Sequence, residues 1–360
     1  MPTDTHGPGV DEPIRRPTLR DVADHAGVSF KTVSRVVNGE GGVSTELSDR
    51  VADSIEQLGY RPDSRARHLR HAAAQTGTIG FILSDVANPF FSAILRGIDD
   101  VAGERGALVL TGSTDGDPDR ESQLVDSFVS RRVDGLIVVP TARGISPSLL
   151  AEIRRGTPLV FVDLEPADGD VVTVRTDHRG GAELATRHLI DAGHRDIACF
   201  ADDRSIFSAA ERIVGFRRAM TAAGLAVPPD RVVDGDFGVS GWRDLATEYL
   251  ARADRPTAVF TAQNFVTIGT AHALHQLGLH HTVAHVGFDD VDLADVIDPP
   301  ITVIPQQPRL LGQLAAQRLF DRADGVDTGS GRNIVPCELL ARGSGEITAA
   351  DPTAGKTGRR

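Results

Sequence analysis

Lys31, Ser34, Arg35 and Asn38 recur at spacings of three and four residues, so in one short helix they share a face. The chemistry open to them is that of reading a duplex. A guanidinium forks onto guanine O6 and N7, an ammonium pairs with phosphate, and hydroxyl and amide groups reach base edges and backbone oxygens. Catalytic signatures do not accompany them. The chain has no P-loop, no G-x-G-x-x-G after its first strand-like run, no nucleophile elbow and no H-E-x-x-H. His272, His275, His280, His281 and His285 crowd one stretch, and His272 and His275 could share a helix face. No cysteine or carboxylate array completes a metal site there, so capping or solvated roles fit them better. Neither an enzyme nor a cofactor is expected.

The elements that must position the polar face are short helices. Thr18 caps the first, with Asp21 three residues on as an acidic capping-box partner, and Leu19, Val22, Ala23 and Ala26 form its apolar stripe. Gly27 ends it. Ser29 caps a second segment, Phe30 to Val37, closed by Asn38-Gly39, and Ser44 caps a third with the stripe Leu47, Val51, Ile55 and Leu58, closed by Gly59. Small Ala23, Gly27 at the turn and apolar Val33 on the second helix meet the steric demands of a helix-turn-helix, although a plain three-helix bundle would want the same residues. From Thr76 onward strand-length apolar runs (79–83, 107–110, 135–139, 159–162, 197–201, 258–260 and 283–288) alternate with helical stretches, the pattern of parallel βαβ units covered on both faces.

Composition sets the class. At 360 residues and 40% hydrophobic content the chain suits two domains with a large core, and no apolar run approaches membrane-span length. The first residues lack the apolar core of a secretory signal, and only Cys199 and Cys337 occur, far apart. A disulfide framework or zinc site is therefore not expected, and a cytoplasmic setting is. The net charge of −12 speaks against nucleic acid at first sight, but residues 13–70 hold ten Lys and Arg against eight Asp and Glu, about +2. Even that is a weak basic footprint, so pattern rather than charge carries the inference.

The full string TLRDVADHAGVSFKTVSRVVNGEGGVS, followed by LGYRPDSRARHLR, resembles the opening of the LacI/GalR family of bacterial repressors, and the resemblance continues to about Gly343. It implies a small all-α helix-turn-helix domain followed by a periplasmic-binding-protein-like α/β domain of two doubly wound parallel-sheet lobes. The expected layout is a disordered leader at 1–17, the helix-turn-helix at 18–62 and a hinge helix and linker at 63–75. The two-lobed domain follows at 76–343, with lobe 1 near 76–163 and 291–323 and lobe 2 near 164–290 and 324–342, then a disordered tail at 344–360. By the same resemblance Phe30 and Lys31, after the capping Ser29, choose the operator sequence; Arg35 reads a guanine; Thr32, Ser34 and Asn38 hold phosphates. Ala66, Arg67 and Leu69 belong to a hinge helix that enters the minor groove of double-stranded operator DNA, Leu69 as a wedge. Asp63 departs from a frequent Asn and would face phosphates unfavourably. The implied assembly is a homodimer, with no membrane partner.

For the second domain the resemblance implies a small polar effector, a sugar or sugar derivative, in a cleft at the strand ends. A polyol needs charged groups that fork onto adjacent hydroxyls and an aromatic face against its C–H surface. Arg212 and Asp289 are implied as the forks, with Asp163, Asp85 and Asn264 assisting and Phe90 and Phe237 as walls. Residues Asn88-Pro89-Phe90-Phe91 fall at a strand-to-helix turn, the edge where open parallel sheets bind ligands. A structural ion pair for Arg212 and Asp289, and a core role for the two phenylalanines, are the plainer alternatives. Two departures bear on ligand identity: Phe265 follows Asn264 where the family often has Asp, and Pro308 stands where some sugar-binding members have an aromatic.

Overall fold

The structure, a computed structural model, describes residues 17–37, 40–60, 76–141, 145–164, 171–326 and 331–349. Asn38, Asp63, Ala66, Arg67 and Leu69 lie outside the described residues, as do the leader up to residue 16 and everything beyond 349. The chain divides into two units, Met1–Thr76 and Gly77–Arg360.

Three helices make the first unit: α1 (Leu19–Ala26), α2 (Phe30–Val37) and α3 (Thr45–Leu58). The capping box is present at the start of α1: the Thr18 backbone N–H donates to Asp21 Oδ2 at 2.6 Å and the Asp21 N–H to Thr18 Oγ1 at 3.4 Å. Gly27 ends α1 at φ 61°, a left-handed conformation that costs a residue without Cβ nothing. Ser29 caps α2 by accepting the Thr32 N–H at 3.1 Å. Ser44 occupies the cap position of α3, but its hydroxyl makes no cap bond, so its expected role reduces to an extended backbone there. Val22, Ala23, Ala26, Val33, Val51 and Tyr60 form the core between the three helices.

The second unit carries two parallel sheets. The first contains β1 (Thr78–Leu83), β2 (Leu108–Ser113), β3 (Leu136–Val138), β4 (Leu159–Val162), β5 (Val172–Thr176) and β11 (Arg332–Val335), in the order β11-β5-β4-β3-β1-β2. The second contains β6 (Ile197–Ala201), β7 (Val232–Asp234), β8 (Ala258–Thr261), β9 (Ala284–Phe288) and β10 (Thr302–Ile304), in the order β10-β9-β8-β6-β7. Most central strands are buried on both faces, as expected when helices cover both sides. The helices over the first sheet are α4 (Pro89–Glu104), α5 (Pro118–Ser130), α6 (Pro147–Arg155) and α11 (Pro308–Ala323); α7 (His178–Asp191), α8 (Phe207–Ala222), α9 (Gly238–Leu250) and α10 (Asn264–Gln276) belong to the second. In lobe 1 the helices α4 and α11 approach through Gly97 and Gly312: a Cβ on either would fall onto backbone of the other helix, at the Arg309 or the Ile94 carbonyl oxygen.

The lobe boundaries differ from expectation. β5 and β11 pair with each other in the first sheet, whereas the expected ranges placed both in lobe 2, and β10 lies in the second sheet rather than in lobe 1. The reason is that β5 joins β4 directly, in parallel register from Val160 against Val172, where the alternation of strands and helices called for a lobe change after residue 163. The chain crosses between lobes at 176–178, 304–308 and 335–340.

Residues 344–349, expected to belong to a disordered tail, are ordered against the fold. They pack on lobe 2, where Ser344 Oγ donates to the His285 carbonyl at 2.6 Å and accepts the Thr302 N–H at 2.9 Å. His188 Nε2 meets Glu346 Oε1 at 2.7 Å, and Ile347 packs against the lobe core. A polar sequence fits here because its backbone and hydroxyl groups close buried hydrogen bonds left open by the last strands. A chain ending at Gly343 is expected to lose about 3 kcal/mol, since each orphaned buried partner costs roughly 1–3 kcal/mol. A urea melt of the truncated protein checks this; an unchanged midpoint would show the segment to be a passive extension.

Candidate functional site

On the first unit, α2 exposes Lys31 and Phe30, the latter 47% exposed, with Ser29 at its open end and Thr32 and Arg35 half-buried beside them. Val33 is fully buried, as its inward position requires. Ser34 is buried with it, so the expected polar face is narrower than four residues. Position 34 lies only about 100° around the helix from 33, and with α1 and α3 both against α2 the buried arc reaches it. Ser29, Lys31, Thr32 and Arg35 line a hollow of about 270 Å³ with Gly42, Val43, Ser44 and Leu47. Two cations on a short exposed helix of a three-helix unit are the equipment for groove contact and phosphate pairing.

On the second unit, a cavity of about 440 Å³ opens between the two lobes at the C-terminal ends of the strands. From lobe 1 come Asp85, Asn88 and Phe90 after β1, Asp115 after β2, Thr141 after β3, and Asp163 after β4. From lobe 2 come Asp202 after β6, Phe207 and Arg212 on α8, Asp236 after β7, Phe265 on α10 and Asp289 after β9, with Gln306 on a crossing segment. Both sheets reverse their strand order at this edge, on either side of β1 and of β6, which is where open α/β sheets hold ligands. Asp163 and Asp289 both hold positive φ, 63° and 73°. For non-glycine residues that is a local cost of the kind functional sites carry.

Arg212 organises the lobe 2 wall. It is 3% exposed and lies 3.9 Å over the Phe288 ring. Its Nη1 donates to the Ala262 carbonyl at 2.7 Å, and its Nε to His178 Nδ1 at 3.3 Å. His178, at the start of α7, turns its other nitrogen to Asp163 at 2.6 Å across the lobe boundary. Burial pushes the imidazole below its ordinary range; the pull of Asp163 opposes this and the Arg212 charge adds to it. The ring is therefore neutral near pH 7; its Nδ1 accepts from Arg212 while its Nε2 lies against the Asp163 carboxylate without hydrogen-bond geometry, so it stands between the guanidinium and the carboxylate. A second bridge joins the lobes where Asn264 Nδ2 donates to Asn88 Oδ1 at 2.8 Å, while the Asn264 N–H donates to Asp289 at 3.2 Å. Gln306 donates to the other Asp289 oxygen at 2.5 Å.

The structure thus gathers Asp85, Phe90, Asp163, Arg212 and Asp289 on one cavity. Asn264 sits behind its wall as an interlobe bridge, and Phe237 is displaced: it precedes α9, its ring covers Gly235, and it stands edge-on to Trp242 at 5.3 Å. The aromatic walls are Phe90, Phe91, Phe207 and Phe265 instead. Pro308 opens α11 and does not line the cavity. His178, Gln306, Asp202 and Asp236 were not anticipated. The strand-end rule would have found the last three had β7 and β10 been recognised and applied after β6; nothing local marks His178.

A helix-turn-helix unit followed along the chain by a two-lobed α/β unit with a polar cleft defines a ligand-responsive DNA-binding regulator. Residues 18–63 match the lacI family of bacterial regulatory proteins, and residues 76–342 match the periplasmic binding proteins and sugar binding domain of the LacI family. The chain belongs to that family. It is 36% identical over 307 residues to the ribose operon repressor of Escherichia coli K12, covering 85% of this chain and 92% of that one. It is 30% identical over 329 residues to the repressor CytR of the same strain, covering 91% and 96%. Among solved structures, the lac repressor dimer bound to operator and the anti-inducer ONPF superposes with a TM-score of 0.81 at 27% identity, covering 93% of this chain and all of that one. No helix among the described residues is long and apolar enough to cross a membrane.

Proposed function

We propose that this protein is a cytoplasmic repressor that binds a near-palindromic operator as a homodimer and releases or tightens its grip when a sugar-like effector fills the cleft. The observation that carries this reading is the cleft itself. Charged side chains of both lobes converge on one cavity, and the lobes are joined across it by the Asp163–His178 and Asn264–Asn88 contacts. A ligand that adds bonds to both walls favours the closed arrangement by its differential affinity, and that difference is the coupling free energy available to the operator-binding unit. Arg212 and Asp289 fork the effector's hydroxyls, Asp163 and Asp85 assist, and Phe90 covers its C–H face; Asn264 acts through the lobe bridge. On the DNA side, Phe30 and Lys31 select bases, Arg35 reads a guanine, and Ser29 and Thr32 meet phosphates. Asn38 and the hinge residues Ala66, Arg67 and Leu69 remain part of the proposal.

The relatives favour this reading by their names: one is a repressor of a ribose operon, and another was solved on its operator as a dimer. The acidic balance downstream of residue 70, 28 Lys and Arg against 39 Asp and Glu, helps keep the sensing unit off the duplex. The DNA half is tested by Arg35→Ala. Specific binding should weaken by ~1–3 kcal/mol with little change on random DNA, and effector binding should be untouched. Equal loss on specific and random DNA would reduce Arg35 to a phosphate contact.

A further inference from the structure

The charges on the cleft are lopsided. Among the described residues Asp85, Asp115, Asp163, Asp202, Asp236 and Asp289 all line it, against the single guanidinium of Arg212. Four of these carboxylates have work within the protein. Asp163 faces His178, Asp115 pairs with Arg120, Asp289 accepts from Gln306 and the Asn264 N–H, and Asp85 accepts the Ala87 N–H. The remaining two do not balance. Asp202 accepts only the Asp203 N–H, at 3.0 Å, and Asp236 is exposed and accepts no hydrogen bond or ion pair among the described residues.

Arg212 supplies a second, independent pointer to a ligand. Of the five N–H groups of a guanidinium, three go to His178 and Ala262. The other two have no acceptor among the described residues, on a side chain that is almost fully buried and lines the cavity. Such N–H groups need oxygen acceptors from whatever fills the space. The phenylalanine walls add rings whose faces attract cations.

We propose that the effector is a polyol bearing an amine: its hydroxyls occupy the Arg212 and Asp289 end of the cleft, and its ammonium lies between Asp202 and Asp236. This rests on the reading of the cleft as the effector site. The same charge balance turns away anionic sugars such as phosphate esters and uronates, because the Arg212 guanidinium is already shared and each added anion would face several carboxylates. Burial, with Asp236 adding to it, lifts Asp202 to about 6, the behaviour of a carboxyl lacking its cation. The charged groups facing it are Asp203 on its own loop, Asp236 after β7 and Arg212 on α8. An ammonium needs Asp202 ionised, so amine affinity falls as pH drops through about 6.

The test is calorimetric titration of the full chain near neutral pH with matched sets: glucosamine, galactosamine and mannosamine, each with its parent hexose and phosphate ester. In at least one set the amine should bind tenfold or more tighter than its parent, with no binding of the ester. Asp236→Asn, an exposed site chosen to spare folding, should cut amine affinity about tenfold while leaving the parent sugar and operator binding unchanged. A parent or ester that binds as well as its amine in every set, or amines that do not register, overturns the proposal. Failure of the two readings separates through Arg212→Ala. Neutral sugars that bind and lose binding in that variant leave the cleft as effector site without amine selection. If no compound binds in an Arg212-dependent way, both readings fall.

Discussion

Arg212→Ala is expected to leave operator recognition intact and to abolish its modulation by effector. Arg212 is the one cation on the cavity among the described residues, and truncating a buried, hydrogen-bonded charge partner costs about 2–5 kcal/mol of affinity, roughly thirtyfold or more. The loss has a structural component. The Ala262 carbonyl and His178 Nδ1 lose their donor, and Asp163 loses a nearby positive charge, which destabilises lobe 2 as well. Arg212→Lys separates the two effects: the charge stays, but the planar fork is gone, so the fold should recover more than the effector response does. Fluorescence-anisotropy titration of an operator duplex, with and without effector, reads both. A response within twofold of wild type in Arg212→Ala would remove the cleft from the mechanism.

The second large effect concerns lobe 1. A valine at Gly312 would place its Cβ against the Ile94 carbonyl oxygen of α4, where backbone and not a movable side chain stands in the way. Overpacking of this kind costs about 3 kcal/mol or more, because two helices must separate along their contact. Gly103→Ala is the matched control. That glycine lies on α4, the partner helix, with nothing within 4 Å of an added Cβ, so the change should be neutral or stabilising by up to about 1 kcal/mol. Urea midpoints for the two variants check the contrast; similar midpoints would mean that α4 and α11 have slack.

The contrast between legible and illegible parts of this chain follows the range of the forces involved. The helix-turn-helix is written locally: a capping box at Thr18 and Asp21, a left-handed Gly27 and an inward Val33 each act within a few residues. Ser34 is the exception, since its burial depends on how far two neighbouring helices wrap α2. In the α/β unit, seven strands are legible as apolar runs. β5, β7, β10 and β11 are not: Thr173 and Arg175 interrupt the apolar residues of β5, β7 ends in Asp234, β10 begins at Thr302 with only two apolar residues after it, and β11 carries an exposed Arg332 beside Asn333. The lobe crossings went astray with them, because pairing of β5 beside β4 is decided across the sheet rather than along the chain. Site residues inherited these limits. Asp85, Asp163 and Asp289 follow recognisable strands, whereas Asp236 and Gln306 follow strands that were missed. Phe237 looked like a cleft wall, but Gly235 and Gly241 leave room for its ring to fold back over Trp242.

The most direct measurement is selection of bound fragments from a random DNA pool by the full-length protein, repeated with a panel of sugars and amino sugars. The account predicts one enriched near-palindromic site whose occupancy changes with at least one compound, and loses that change in Arg212→Ala. Enrichment of no sequence, or a site whose occupancy no compound alters, would contradict a regulator in which the cleft controls the helix-turn-helix.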